Sequence, residues 1–290
     1  MTRTTLVSIG LPVTLLAGMG LFVLSGCVEG GSGAKSEVSV AMKGADSPGP
    51  GTDGPVDPVK DTFSGDPGSL SGRISISGTF TTLPPLLAKG TSEKDPEFCA
   101  AQMDIPDQKI VSKDGGVGNV VIYMDKVPKP LTRLPAPEEP VVFDQKNCTF
   151  KPRVLLCRTG QQIRIWNSDG AAHNTHTYPK KNTGFNSSVN PMDTTGDNAQ
   201  IVYKKSEAQP LPVGCDFHAW MKAYHLPLDH PFAAVTAEDG SFEIKDIPPG
   251  KYRFKVWHEG KFLARRVDIE IKSGSATTLD RSFTKDELLK

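Results

Sequence analysis

Beyond residue 70 the apolar positions recur every second residue rather than every third or fourth. Ile74 and Ile76 alternate with Arg73, Ser75 and Ser77, and Ile163 and Ile165 alternate with Gln162, Arg164 and Trp166. Tyr252, Phe254 and Val256 oppose Arg253, Lys255 and Trp257, while Val267, Ile269 and Ile271 alternate with acidic residues. Each run is short and bounded by Gly, Pro or Asp, which is the pattern of half-buried strands in a sandwich. The 28 Gly and 24 Pro of the 290 residues supply the many corners such a fold needs. The fold class predicted is therefore all-β. A short helix over Ser92 to Met103 is the one helical expectation, and a strand is expected at Gln200 to Tyr203.

The first 70 residues follow another logic. After Arg3, an apolar run from Leu6 to Leu24 closes on Leu24-Ser25-Gly26-Cys27, and a basic start, an apolar stretch and small residues at its end mark a secretory signal. The run is just long enough to span a membrane, an alternative weakened by Pro12 and the interspersed glycines. The closing four residues resemble the lipobox of bacterial lipoproteins. That resemblance implies a lipoprotein signal peptide over 1–27, lipid on Cys27, and a membrane contact made through that lipid anchor. The folded part then lies on the periplasmic or extracellular side of a bacterial cell envelope, where disulfides persist. From 28 to 70 the chain is Gly, Ser, Pro, Asp and Lys with few aromatic residues, so it reads as a disordered linker. The 33 Lys and Arg balance 33 Asp and Glu, and a chain with no basic excess is not expected to partner nucleic acid.

Near the C-terminus, Asp239-Gly240 makes a tight turn, Ser241 to Ile247 a strand, Pro248-Pro249-Gly250 a second corner, and Tyr252 opens another strand. This arrangement resembles the carboxypeptidase regulatory-like, prealbumin-like β-sandwich. Gly72 to Gly78 and Gly118 to Met124 then supply its earlier strands. The implied organisation is a regulatory-like sandwich in two halves, 71–130 and 232–285, interrupted by a second domain over 131–231.

The middle of the chain carries the chemistry. Cys215, His218 and Met221 put a thiolate, an imidazole and a thioether on one short loop, and His173 at the end of a preceding strand pattern is the natural fourth donor. Copper that cycles between two states favours two imidazoles, one thiolate and a weak axial thioether. Structural zinc favours paired Cys-x-x-Cys arrangements, which this sequence lacks. The run Asn167-Ser168-Asp169, then His173-Asn174-Thr175-His176, then Cys215-Asp216-Phe217-His218-Ala219-Trp220-Met221 resembles the cupredoxins, blue-copper proteins with a Greek-key sandwich, and in loop length it resembles amicyanin. The resemblance implies one type 1 copper site with His173, Cys215, His218 and Met221 as ligands, and Asn174 tying the two ligand loops together. Asp216 departs from the family, where a small hydroxyl residue is common; it is expected either to lower the reduction potential or to leave that tie unmade. Met192 is the weaker axial rival, and His176 reads as a strand residue beside the site. His225, His230 and His258 have no spacing partner and read as surface or hydrogen-bonded histidines. From Phe143 onward the chain also resembles bacterial methylamine-utilisation-like proteins, a likeness that implies electron traffic in the envelope.

With Cys27 assigned to lipid and Cys215 to copper, a Cys99–Cys148 disulfide is favoured, a Cys148–Cys157 pairing stays open, and Cys157 reads as a buried small hydrophobe. The expected function is an envelope-anchored electron carrier, not an enzyme, exchanging single electrons with a redox protein such as a c-type cytochrome or an envelope oxidoreductase. Electrons are expected to leave through an exposed edge of His218, with Phe217, Ala219 and Trp220 forming an apolar rim. For Trp220, packing beneath the loop is the equal alternative. The competing expectation is a non-redox envelope module that binds carbohydrate or protein, its copper site serving storage or being vestigial.

Overall fold

The computed structural model describes residues 63–289. Cys27, the signal region and most of the 28–70 linker lie outside the described residues. The last residues assigned to that linker do not: a strand already starts at Gly68, where Leu70 is buried in the core.

The protein is nearly all β, in four sheets that pair into two sandwiches. In the first, Gly68–Ser77 is flanked by the antiparallel strand Ser241–Ile247 and, on its other edge, by Ala276–Thr278 and Arg281–Thr284 running parallel. The facing sheet orders Ala233–Val235, Val121–Asp125, Gly250–His258 and Lys261–Ile271. Leu70, Ile74, Ile122, Met124, Phe254 and Val256 fill the space between. The Asp-Gly turn is closely fitted: Gly240 has φ 81°, and a Cβ there would meet the Ile74 carbonyl oxygen at 2.0 Å, so only glycine suits it.

The second sandwich holds the candidate ligands. One sheet orders Asn186–Val189, His173–Thr177, Leu211–Gly214, Lys222–Leu228 and Val154–Arg158; the other orders Gln200–Val202, Gln162–Asn167, Val141–Lys146 and Thr149–Lys151. Alternation decides the faces: Ile163 and Ile165 are buried between the sheets beside Phe143, Phe150 and Val213, while Gln162, Arg164 and Trp166 are half-exposed.

One strand is not alternating at all. Val121, Ile122, Tyr123 and Met124 are all buried, because both faces of the strand are covered, as in the continuous apolar strands of doubly packed sheets. Ile122 and Met124 face the first core, whereas Val121 and Tyr123 join Trp257, Val154, Leu226 and Leu228 in a third cluster between the two sandwiches. A bidentate ion pair closes that seam. Arg153 Nε and Nη2 donate to Glu259 Oε1 and Oε2 at 3.0 and 2.6 Å, and Nη1 donates to the Lys222 carbonyl.

The helix expected over Ser92 to Met103 is a correction. The segment makes a single turn, in which the Phe98 and Cys99 amides donate to the Asp95 carbonyl. Asp95 (φ 45°) and Ala100 (φ 55°) both take left-handed backbone angles. Pro96 disfavours helix at the residue before it, and the left-handed Ala100 ends the turn. Among the described residues no helix is long and apolar enough to cross a membrane.

Candidate metal centre

Two neighbouring strands set the site. His173 opens the strand His173–Thr177, which pairs with Leu211–Gly214 so that His176 lies opposite Gly214. Gly214 also pairs with Lys222, so the seven residues between them form a closed loop whose ends are fixed. Inside it the Met221 amide donates to the His218 carbonyl at 2.9 Å and the Cys215 amide to the Met221 carbonyl at 3.3 Å. These bonds turn Cys215 and His218 inward toward His173.

The donor atoms of His173, Cys215 and His218 all lie within 4.8 Å of one another, and all three residues are buried. The two Nδ1 atoms are 3.0 Å apart, and Cys215 Sγ is 3.8 Å from His218 Nδ1. The outer nitrogens are both occupied: His173 Nε2 donates to Asp169 Oδ2 at 2.9 Å and His218 Nε2 to Asp95 Oδ2 at 2.8 Å. A proton held at each Nε2 leaves the Nδ1 lone pairs facing each other, and only a cation or a shared proton satisfies both. Burial disfavours a charged His173, but the Asp169 carboxylate and the Cys215 sulfur outweigh it and raise the imidazole to about 9. Burial likewise opposes ionisation of Cys215, yet hydrogen bonds from His173, from His218 and from backbone amides bring its thiol down to about 6. The site therefore offers a thiolate and two imidazole nitrogens aimed at one point, a donor set that fits copper.

The other expected site residues fall into place around this trio. Met221 is buried in the same apolar cluster as Cys215 and lines the same hollow beside Gly214 and Tyr178. Met192, the rival, is 67% exposed. Asn174 makes the tie between the ligand loops: its Oδ1 accepts the Asp216 amide at 2.6 Å, and its Nδ2 donates to Asp216 Oδ2 at 2.8 Å. Asp216 therefore does not leave the tie unmade. Its carboxylate also meets His176 Nδ1 at 3.1 Å and Asn186 Nδ2 at 3.0 Å, and these bonds, His176 first, hold it below the usual carboxylate range. His176 stands outside the trio. Cys99 and Cys148 are joined in a disulfide, leaving Cys157 and Cys215 as the free thiols among the described residues, both buried. Burial pushes the Cys157 thiol up to about 12, as befits an inert core sulfur.

The exposed imidazole edge is a correction. His218 is 0% exposed because Asp95 covers its outer nitrogen. Trp220 is packed under the loop: its ring is 5.0 Å from that of His218 and its Nε1 donates to the Cys148 carbonyl at 3.1 Å. Phe217 alone of the expected rim aromatics is broadly exposed. Sequence reasoning also missed both carboxylates. Asp169 had a usable signal, since it precedes His173 by four residues in the same ligand run. Asp95 had none, lying 123 positions from the histidine it holds.

Comparison with known proteins gives partial likenesses. The family described as polysaccharide lyase family 4, domain II, matches residues 218–279. No curated protein matches. Solved structures similar to parts of the chain include a copper-containing nitrite reductase from Thermus scotoductus, at 17% identity and TM-score 0.27, covering 31% of this chain and 22% of that one. A purple cupredoxin from Nitrosopumilus maritimus shares 17% identity at TM-score 0.25, covering 30% of this chain and 98% of that one. A Cu(I) form of an amicyanin variant shares 14% identity at TM-score 0.25, covering 33% of this chain and 88% of that one. This chain thus spans under a quarter of the nitrite reductase it resembles.

Proposed function

We propose that the protein is a one-electron carrier of the bacterial cell envelope, anchored through lipid on Cys27, with one type 1 copper site that His173, Cys215, His218 and Met221 would hold. The convergence of two imidazole Nδ1 atoms and one thiolate in a buried pocket carries this reading. Copper bound there would supply reversible one-electron chemistry, and the chain's part is to fix the donors and exclude water. Asn174 ties the His173 strand to the Cys215 loop, which would hold the donors in place around a bound metal. The partner is a redox protein such as a c-type cytochrome or an envelope oxidoreductase, and the chain acts as carrier, not enzyme. Visible absorption with metal analysis tests the proposal. One copper per chain and an intense thiolate-to-copper band, lost in Cys215→Ser, are expected; a colourless protein without stoichiometric copper refutes it.

The match to polysaccharide lyase domain II over 218–279 favours a second reading, a non-redox envelope module whose regulatory-like sandwich binds carbohydrate. Polysaccharide retention by a copper-binding protein whose metal cannot be cycled by a cytochrome would support it over the first.

A further inference from the structure

The segment from Leu87 to Ile105 is a closed loop of its own. Its ends pair through reciprocal amide–carbonyl contacts between Leu87 and Ile105, the Ile105 amide donating at 2.8 Å. Inside it the Gly90 amide donates to the Ala100 carbonyl and the Lys89 amide to Asp104 Oδ1. Cys99, Ala100 and Ile105 sink into the core of the second sandwich, although the segment precedes that sandwich in the chain.

Three independent contacts press this loop onto the metal end. The disulfide fixes Cys99 to Cys148, whose amide is held by Asp169 Oδ2 at 2.7 Å, the same oxygen that holds His173. Phe98 lies against Gly170 so closely that a Cβ there would meet its ring at 2.2 Å. Asp95, with its backbone in the left-handed region, reaches His218 Nε2 at 2.8 Å, and the imidazole is left with no exposed surface. One carboxylate therefore comes from the ligand run itself and the other from a separate, covalently tethered loop.

We propose that Leu87–Ile105 is a fixed cap over the candidate metal centre and that Asp95 is its positioning residue, holding His218 by the outer nitrogen so that Nδ1 stays aimed at the shared point. The proposal rests on the reading of His173, Cys215 and His218 as metal ligands. A partner carboxylate orients a ligating imidazole and raises its basicity, and losing such a partner commonly costs 10- to 100-fold in metal affinity. The cap further withdraws the outer ring edge of His218 from solvent.

The test uses the full chain with its disulfide intact, as wild type, Asp95→Ala and Asp95→Asn. In the metal-free protein, nitrogen-15 NMR of the imidazoles should show the His218 Nε2–H as a hydrogen-bonded proton exchanging slowly with water; Asp95→Ala should lose it. In the copper-loaded protein, transfer of copper to excess chelator should be at least about tenfold faster in Asp95→Ala. Asp95→Asn, which keeps an acceptor but not the charge, should retain most of the slow transfer while its reduction potential rises, a shift that a purely structural role would not produce. Near-wild-type transfer in Asp95→Ala, or a wild-type Nε2–H exchanging as fast as in free imidazole, overturns the cap. A chain that binds no copper sinks the ligand reading instead, and the imidazole spectrum then still decides whether Asp95 closes over His218.

Discussion

His225 makes the chain acid-sensitive by an amount that can be worked out. Its ring is fully buried, packed edge-on against Phe143 at 4.4 Å, and its Nδ1 accepts a hydrogen bond from the Tyr203 hydroxyl at 3.0 Å. No carboxylate bonds to it, so burial alone lowers the imidazole to about 3. In the unfolded chain the same group titrates near ~6.5. Below that value the unfolded chain takes up a proton that the folded protein refuses. The stabilisation is fully present above ~6.5 and is lost as the pH falls toward the folded value. Each pKa unit is worth about 1.4 kcal/mol, so the full swing is about 5 kcal/mol, of which about 2 kcal/mol falls between pH 7 and pH 5. His225→Gln keeps an acceptor for Tyr203 and removes the titration. Urea unfolding of the metal-free chain, followed by tryptophan fluorescence at pH 7, 6 and 5, should show the variant losing about 2 kcal/mol less than wild type across that range. Equal losses in the two proteins would refute the assignment of a neutral, unprotonated His225.

His230, lowered to about 4 chiefly by burial, should add a similar acid-side loss, so His230→Asn should flatten the same pH profile further. Arg153→Met strips Glu259 at the seam of its ion-pair partner and should cost about 3–5 kcal/mol of unfolding free energy, much of it regained in the Arg153→Met, Glu259→Met double variant. Asn174→Ala removes the tie to Asp216 and should weaken copper binding by about 10- to 100-fold in a chelator competition, with the fold retained by circular dichroism. Reduction of the Cys99–Cys148 bond, which closes a separation of 49 residues, should lower stability by up to about 4 kcal/mol in denaturant unfolding, on chain-entropy grounds.

The strands were legible wherever one face meets a core and the other meets water. In Gln162–Asn167 and in Gly250–Phe254 the period of two is written directly into the residues, because burial selects alternate positions. Val121–Asp125 hid its role. Its unbroken apolar run signals burial on both faces, yet the sequence does not say that the second covering layer is another sandwich carrying Val154, Leu226 and Leu228. That seam depends on contacts between segments far apart in sequence, and on an ion pair whose members, Arg153 and Glu259, each sit singly in a turn.

The candidate donor set was legible for the opposite reason. Cys215, His218 and Met221 share one loop, so spacing alone brings them together, and only His173 had to be supplied by the neighbouring strand. What surrounds the trio was not. Asp95 stands in a stretch whose composition suggests a short helix, and a helix there would have carried its side chain along a regular face. The proline after it and the left-handed angles at Asp95 and Ala100 confine the segment to one turn, and the bond between Cys99 and Cys148 brings that turn to the site. The expectation of an exposed His218 edge followed from the ligand loop considered by itself, whose residues contain nothing to cover the ring. The cover comes from a segment that precedes the whole sandwich, so the accessibility of the site is a property of the tertiary fold and not of its motif.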